Sequence, residues 1–287
     1  MKKLFIIGIV TLFVGMTIYP CINAGFLKIE TRKINDSICD ATSWRYLPFI
    51  RITNDKQFEF LKKLGLITGE GTTENPYIIE GFNLWGNPLA RWISVLHNTG
   101  ETLIYISDTE KHVIIRNNYI HHSRLVGIAI INADNVVIEN NVIKHNVIGI
   151  ALGDSNVRIQ HNDISVNRER GIYMYSYKPC NPIIEYNIIS SNGYRPRMWW
   201  MQSVYGDGLM CHSLVQPEIH HNNIFNNEFG LHFYLNEGDK YFINATSNWW
   251  GSADGPSGAG PGSGDGVTSS VNYEPWLTEP EPDAGPQ

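Results

Sequence analysis

The chain has 287 residues, 43% hydrophobic and 17% charged, with a formal net charge of −6. An acidic chain without a basic cluster speaks against nucleic acid or an anionic membrane surface as partner. Its four Cys form no CxxC pair of the kind that zinc sites use.

Lys2 and Lys3 precede an uncharged apolar run over 4–19, and Ala24 closes the segment. That layout predicts a secretory signal over residues 1–24, which places the mature protein outside the cytoplasm: secreted, periplasmic or on the cell surface. Its removal takes away two Lys and no acid, so the charge goes from −6 to −8. An uncleaved anchor is the alternative and the one route to a membrane, although the run is short of the roughly 20 residues a spanning helix needs. Cys21 invites lipid attachment, but Ile18, Tyr19 and Pro20 match a lipid-attachment box poorly. Cys39, Cys180 and Cys211 then remain, an odd set that completes no disulfide framework.

Residues 25–76 read as an N-terminal segment and cap, with a short helix over 58–64. Residues 78–84 read as a first strand in register with 114–120, and 92–95 and 103–106 continue it. From 113 to 233 the chain repeats itself. An Ile stands three residues before an Asn, and an Ile two residues after it, at Asn118, Asn141, Asn162, Asn187 and Asn222. Out of phase with these come Gly127, Gly149, Gly171, Gly208 and Gly230, spaced 22, 22, 37 and 22 residues apart. A fixed period of this length means stacked units, none able to bury its apolar face alone.

Around each Gly the apolar residues alternate, as in Ile128 and Ile130, Ile150 and Leu152, Ile172 and Met174, which is a strand signal. One repeat of extended chain runs about 70 Å at roughly 3.3 Å per residue, enough for one turn of a small three-sided coil. The array over 77–247 is therefore predicted to be a right-handed parallel β-helix. The Asn recurring once per coil suits a ladder at a bend, each amide bonding the copies above and below. Cys211 falls at an inward position. A C-terminal cap over 248–277 carries Trp249 and Trp250, read as a seal on the last coil. The Pro- and acid-rich tail 278–287 reads as disordered.

The opening run from Gly69 to Gly81, the repeats, and the closing run from Asn248 to Leu277 resemble secreted β-helix proteins of the NosD type. These sit within the broader group of carbohydrate-binding and sugar-hydrolase (CASH) β-helix repeats, and the likeness covers nearly all of the mature chain. For NosD itself the resemblance implies copper delivery; for other relatives it implies polysaccharide lyase, hydrolase or epimerase activity. No catalytic signature of those enzymes is legible here, so no catalytic residue carries over.

Candidate site residues are those that break the repeat. Stacked in register, the outward columns read Ala129, Ala151, Tyr173, Met210, His232 and Ile131, Gly153, Tyr175, His212, Tyr234. Tyr173, Tyr175, His212, His232 and Tyr234 would tile one outer face, and sugar rings stack on flat π surfaces. The 37-residue interval holds an insertion over 194–207, whose Trp199 and Trp200 would rise beside that face or fold onto it. The expected partner is a polysaccharide or cell-surface glycan. Just before two of the Gly, Arg170 and Asp207 fall on neighbouring coils, with Glu228 near by. Together they suit acid/base cleavage of a glycan, by hydrolysis or by lyase chemistry; the plainer alternative is a surface salt bridge. His121, His122 and His145 offer a competing metal site for copper or zinc, with calcium the other candidate ion. The third alternative is a structural or adhesive surface module.

Overall fold

The computed structural model describes residues 45–47, 49–86, 102–193, 206–212, 214–236 and 241–287. The proposed signal, Cys39, the strand expected at 92–95, and Trp199 and Trp200 lie outside these residues. Each coil gives one strand to each of three parallel sheets, of seven, nine and eight strands. In one coil these are Val142–Lys144, Ile148–Gly153 and Val136–Glu139, respectively.

Register holds down the stack. Ile128, Ile150, Ile172, Leu209 and Leu231 pair in succession in the nine-stranded sheet, and all five are fully buried. Ile115, Ile138, Ile159, Ile184 and Ile219 make the matching column in the eight-stranded sheet. Side chains one repeat apart are thus in contact, and the core is one continuous apolar column. Cys211 lies in it, fully buried.

The bends are built from a residue with positive φ followed by an Asn. Asn117, Asn140, His161, Tyr186, His221 and Ser247 take φ of 52° to 58°, a region that short polar residues enter more readily than most. The next residue is Asn118, Asn141, Asn162, Asn187, Asn222 or Asn248. Each of the first five donates from Nδ2 to the Oδ1 of the Asn one coil on, at 3.0 Å. The other Nδ2 hydrogen reaches back, as from Asn141 to the Ile115 carbonyl at 2.8 Å. One side chain so ties three coils, as the spacing predicted. A second ladder runs through Asn146, Asn167, Asn192 and Asn227. It ends on Asp265 Oδ2, at 2.7 Å from Asn227 Nδ2. Burial pushes the Asp265 carboxyl up to about 6, against the hydrogen bonds from Asn227.

At the N-terminal end the segment read as a cap also contributes to the stack. Arg45–Leu47 pairs with Phe82–Trp85, and Ile50–Ile52 with residues 104–106. The helix spans Asp55–Lys63, slightly earlier than expected, with an acid in its first turn and Lys62 and Lys63 in its last, a favourable order for the helix dipole. It buries Phe58 and Leu61, and Phe58 stacks on Tyr77 at 4.6 Å. At the other end Trp250 is fully buried in the core, and Trp249 bridges to Asn223.

The tail 278–287, read as disordered, lies against the stack. Its main chain bonds back onto the stack, Gly285 N to the Tyr186 carbonyl at 2.9 Å and Gln287 N to Asn140 Oδ1 at 3.0 Å. Its Pro and acid content hides a segment whose partners lie elsewhere in the chain.

Candidate functional site

The nine-stranded sheet carries the outer face predicted to bind glycan. Arg170 opens the strand Arg170–Tyr175, and Asp207 opens Asp207–His212. The ladder pairs Arg170 with Asp207 and Asp207 with Phe229. Arg170 Nε donates to Asp207 Oδ2 at 3.3 Å. His232, three residues beyond Phe229, brings Nδ1 to 3.2 Å from Asp207 Oδ1. The Asp207 side chain is 1% exposed, so this is no surface salt bridge. Burial pushes its carboxyl up to about 7; Arg170 opposes that rise, and the charge of Glu228 adds to it. Burial lowers the pKa of His232 and His212, and the positive charge of Arg170 lowers both further. The two rings are therefore neutral near pH 7.

The strand register aligns neighbours within both columns, with unequal exposure. Tyr173 aligns with Met210 and Met210 with His232, while His212 aligns with Tyr234. In the first column Ala129, Ala151, Met210 and His232 are buried, which corrects the open position expected for His232. In the second, Tyr175 and His212 are half-buried and Tyr234 is exposed. Gly153 shows why Tyr175 is partly covered: a Cβ there would meet the Tyr175 Cζ at 2.7 Å. The ring lies across the glycine of the preceding coil.

The rings form one connected path. Centroid distances are 6.4 Å from Tyr177 to Tyr175, 5.7 Å on to Tyr173 and 5.8 Å on to His212. The path continues 5.7 Å to Tyr234, 4.3 Å to His232 and 5.0 Å to Phe229. Tyr173 OH and His212 Nε2 lie 3.2 Å apart, and the Arg170 guanidinium sits 5.2 Å from the Tyr173 ring centroid. Sequence reasoning missed Tyr177, Phe229 and Tyr105. Tyr177 is 86% exposed at one end of the path, and its signal was simple continuation of the alternating strand. Tyr105 aligns with Ala129; its strand lacks the marker Gly, so nothing local announced the register.

Glu228 is exposed, and its Oε2 accepts from Gly206 N at 3.3 Å. Its influence on Asp207 places it at the same edge.

His121, His122 and His145 do come together on another face. His122 and His145 rings lie 5.0 Å apart, and His121 Nδ1 is 2.7 Å from His122 Nδ1. His121 Nε2 bonds Asn83 Oδ1 at 2.8 Å, so the hydrogen-bond network assigns its proton to Nε2. Both His121 nitrogens are then engaged. Burial and the two neighbouring imidazoles press its pKa down to about 4. Among the described residues no group of three or more His, Cys, Asp or Glu is arranged to hold a metal ion. This trio therefore does not fit a copper or zinc centre in this arrangement. Four acids edge a polar recess at one end of the stack, Asp55, Asp108, Glu110 and Asp134. At least two are taken up in side-chain bonds between neighbouring coils, since Asp108 accepts from Asn132 and Asp134 from Asn156.

No curated protein and no solved structure matches the chain. The family described as the right handed beta helix region matches residues 90–247, more than half of the sequence. That match covers most of the three-sided stack and the whole ring path. The chain belongs to the right-handed β-helix family.

Proposed function

We propose that this protein binds polysaccharide outside the cytoplasm, along the outer face of the nine-stranded sheet. The observation that carries this reading is the unbroken path of seven rings from Tyr177 to Phe229, with spacings of 4.3 to 6.4 Å. The rings lie on three successive coils, and the two links between coils span 5.8 and 5.7 Å, so a sugar chain laid across the coils meets a ring on each of the three. Neutral His212 and the Tyr hydroxyls supply hydrogen bonds at the edges. Tyr234 and Tyr175, the more open rings of the second column, are the contacts to remove. Each change to Ala should weaken retention on a polysaccharide affinity gel about two- to twelvefold, from roughly 0.5–1.5 kcal/mol per ring contact. A chain that no neutral or acidic polymer retains would end this reading.

Buried Asp207, held between Arg170 and His232, favours a second reading in which the bound glycan is also cleaved. A carboxyl pushed up to about 7 is suited to proton transfer near neutral pH. Its 1% exposure keeps it from direct contact with a polymer, so it would act through its neighbours, with Glu228 the exposed carboxylate. Uronate-rich polymers should then yield unsaturated products absorbing in the ultraviolet, and Asp207→Ala or Arg170→Ala should abolish them. Absence of such products, with binding retained, would leave a binding module.

A further inference from the structure

The bend between the eight- and seven-stranded sheets carries a second ring column. His161 and Tyr186 lie 5.2 Å apart with planes 11° off parallel, and Tyr186 and His221 lie 5.1 Å apart at 8°. The faces of these rings are spent on one another, so only their edges point outward. Such a column presents its ring nitrogens and hydroxyl to hydrogen-bonding partners. Main-chain groups and a carboxylate meet it. His161 Nδ1 is 3.1 Å from the Asp283 carbonyl, and His221 Nδ1 is 3.0 Å from Glu281 Oε2.

Asn223 departs from the apolar residue that precedes the bend-following Ile in the coil before, Ile188, with which it pairs. Its amide is buried and works as a surrogate peptide. Nδ2 donates to the Glu281 carbonyl at 2.9 Å, while Oδ1 accepts from Glu281 N at 2.7 Å. Further along, Gly285 takes φ +100°, and a Cβ there would meet Ile188 Cδ1 at 2.8 Å. No other residue type fits that position without strain. The contacts fall on four successive coils, those of Asn223, Tyr186, His161 and Asn140.

We propose that this bend is a peptide-reading surface whose occupant is the protein's own segment 281–287, acting as a clasp across four coils. In a solenoid each coil touches only its neighbours, and stability is a sum of nearest-neighbour interfaces. A strap bonded to four coils at once adds a coupling that the stack itself lacks. It opposes opening of the coils one at a time from the C-terminal end.

Hydrogen exchange of the intact full-length chain tests this, read on the peptide covering 279–287. In the wild type the amides of Glu281, Gly285 and Gln287 should exchange at least tenfold more slowly than in an unstructured chain. Asn223→Ala and Gly285→Val should each return the tail to free exchange. The bend amides of Asn187 and Asn222 should then exchange several-fold faster, with the coils near Asn118 unchanged. Free exchange of the wild-type tail would overturn the proposal, as would variants whose tail stays protected. Protection that grows with protein concentration would also overturn it, because the segment would then be seated on a second copy.

Discussion

At the scale of single residues, Asp207 is a carboxyl whose burial moves its titration into the neutral range. Its folded pKa of about 7 lies above the roughly 3.9 of an unfolded Asp. Between those values the folded chain holds the proton and the unfolded chain does not, so the contribution is present at low pH and lost as pH rises through about 7. His212 and His232 act with the opposite sign, since their lowered pKa values favour the fold as pH rises through the unfolded His value of about 6.5. Comparison with Asp207→Asn cancels the His212 contribution, because that imidazole is common to both proteins, and reads Asp207 together with its bonded partner His232. The wild type should lose stability relative to the variant at up to about 1.4 kcal/mol per pH unit between pH 5 and 7. Urea denaturation of both at several pH values measures it; parallel pH curves would show that Asp207 titrates normally.

At the scale of elements, the two Asn ladders do the positioning. Asn162 receives the Asn141 N–H and Nδ2–H on its Oδ1 and donates to the Ile138 carbonyl and Asn187 Oδ1. Asn162→Ala would strand several buried groups at about 1–3 kcal/mol each. The variant should lose about 3–5 kcal/mol in thermal or urea unfolding, whereas Asn156→Ala, on an exposed turn, should cost under about 1 kcal/mol. The far end of the second ladder predicts the reverse sign. Asp265→Asn keeps the acceptor for Asn227 and removes a buried charge, so it should stabilise the fold by about 1–2 kcal/mol at pH 8 and have little effect at pH 4. Equal stability of wild type and variant at pH 8 would show that the carboxylate is not strained there.

This is also the scale at which the sequence was most legible. A strand period of two and one Asn per coil are local signals, and both reappear as paired strands and bonded amides. The second ladder was equally available: Asn146, Asn167, Asn192 and Asn227 each stand five residues after a first-ladder Asn. Burial of Asp207 and His232 was not available, because spacing assigns a side chain to a face but not what lies over that face. The placement of the tail escaped for a related reason. Glu281 is held by Asn223 and His221, some sixty positions back in the chain, while its own neighbours read only as polar and Pro-rich.

At the scale of the whole molecule, a solenoid separates scaffold from site, because insertions leave the stack without altering the coils. The longest interval between marker glycines tests that separation. Gly193 and Gly206 flank the insertion and touch: a Cβ on Gly193 would meet Gly206 Cα at 1.9 Å. Around this base, Asn192 keeps its ladder bond to Asn227 at 3.1 Å, and Asp207 keeps Arg170. The coil is therefore closed beneath the loop, and loop length has a weak effect on closure entropy, about 0.6 kcal/mol per doubling. Replacing residues 194–205 with a two- or three-residue Gly/Ser link should leave the melting temperature within a few degrees of the full chain. If Trp199 and Trp200 extend the ring path, the same excision should cut polysaccharide retention at least tenfold while the coil amides stay protected. Unfolding of the excised chain would mean that the insertion holds the stack together, and unchanged retention would confine the glycan surface to the rings of the sheet itself.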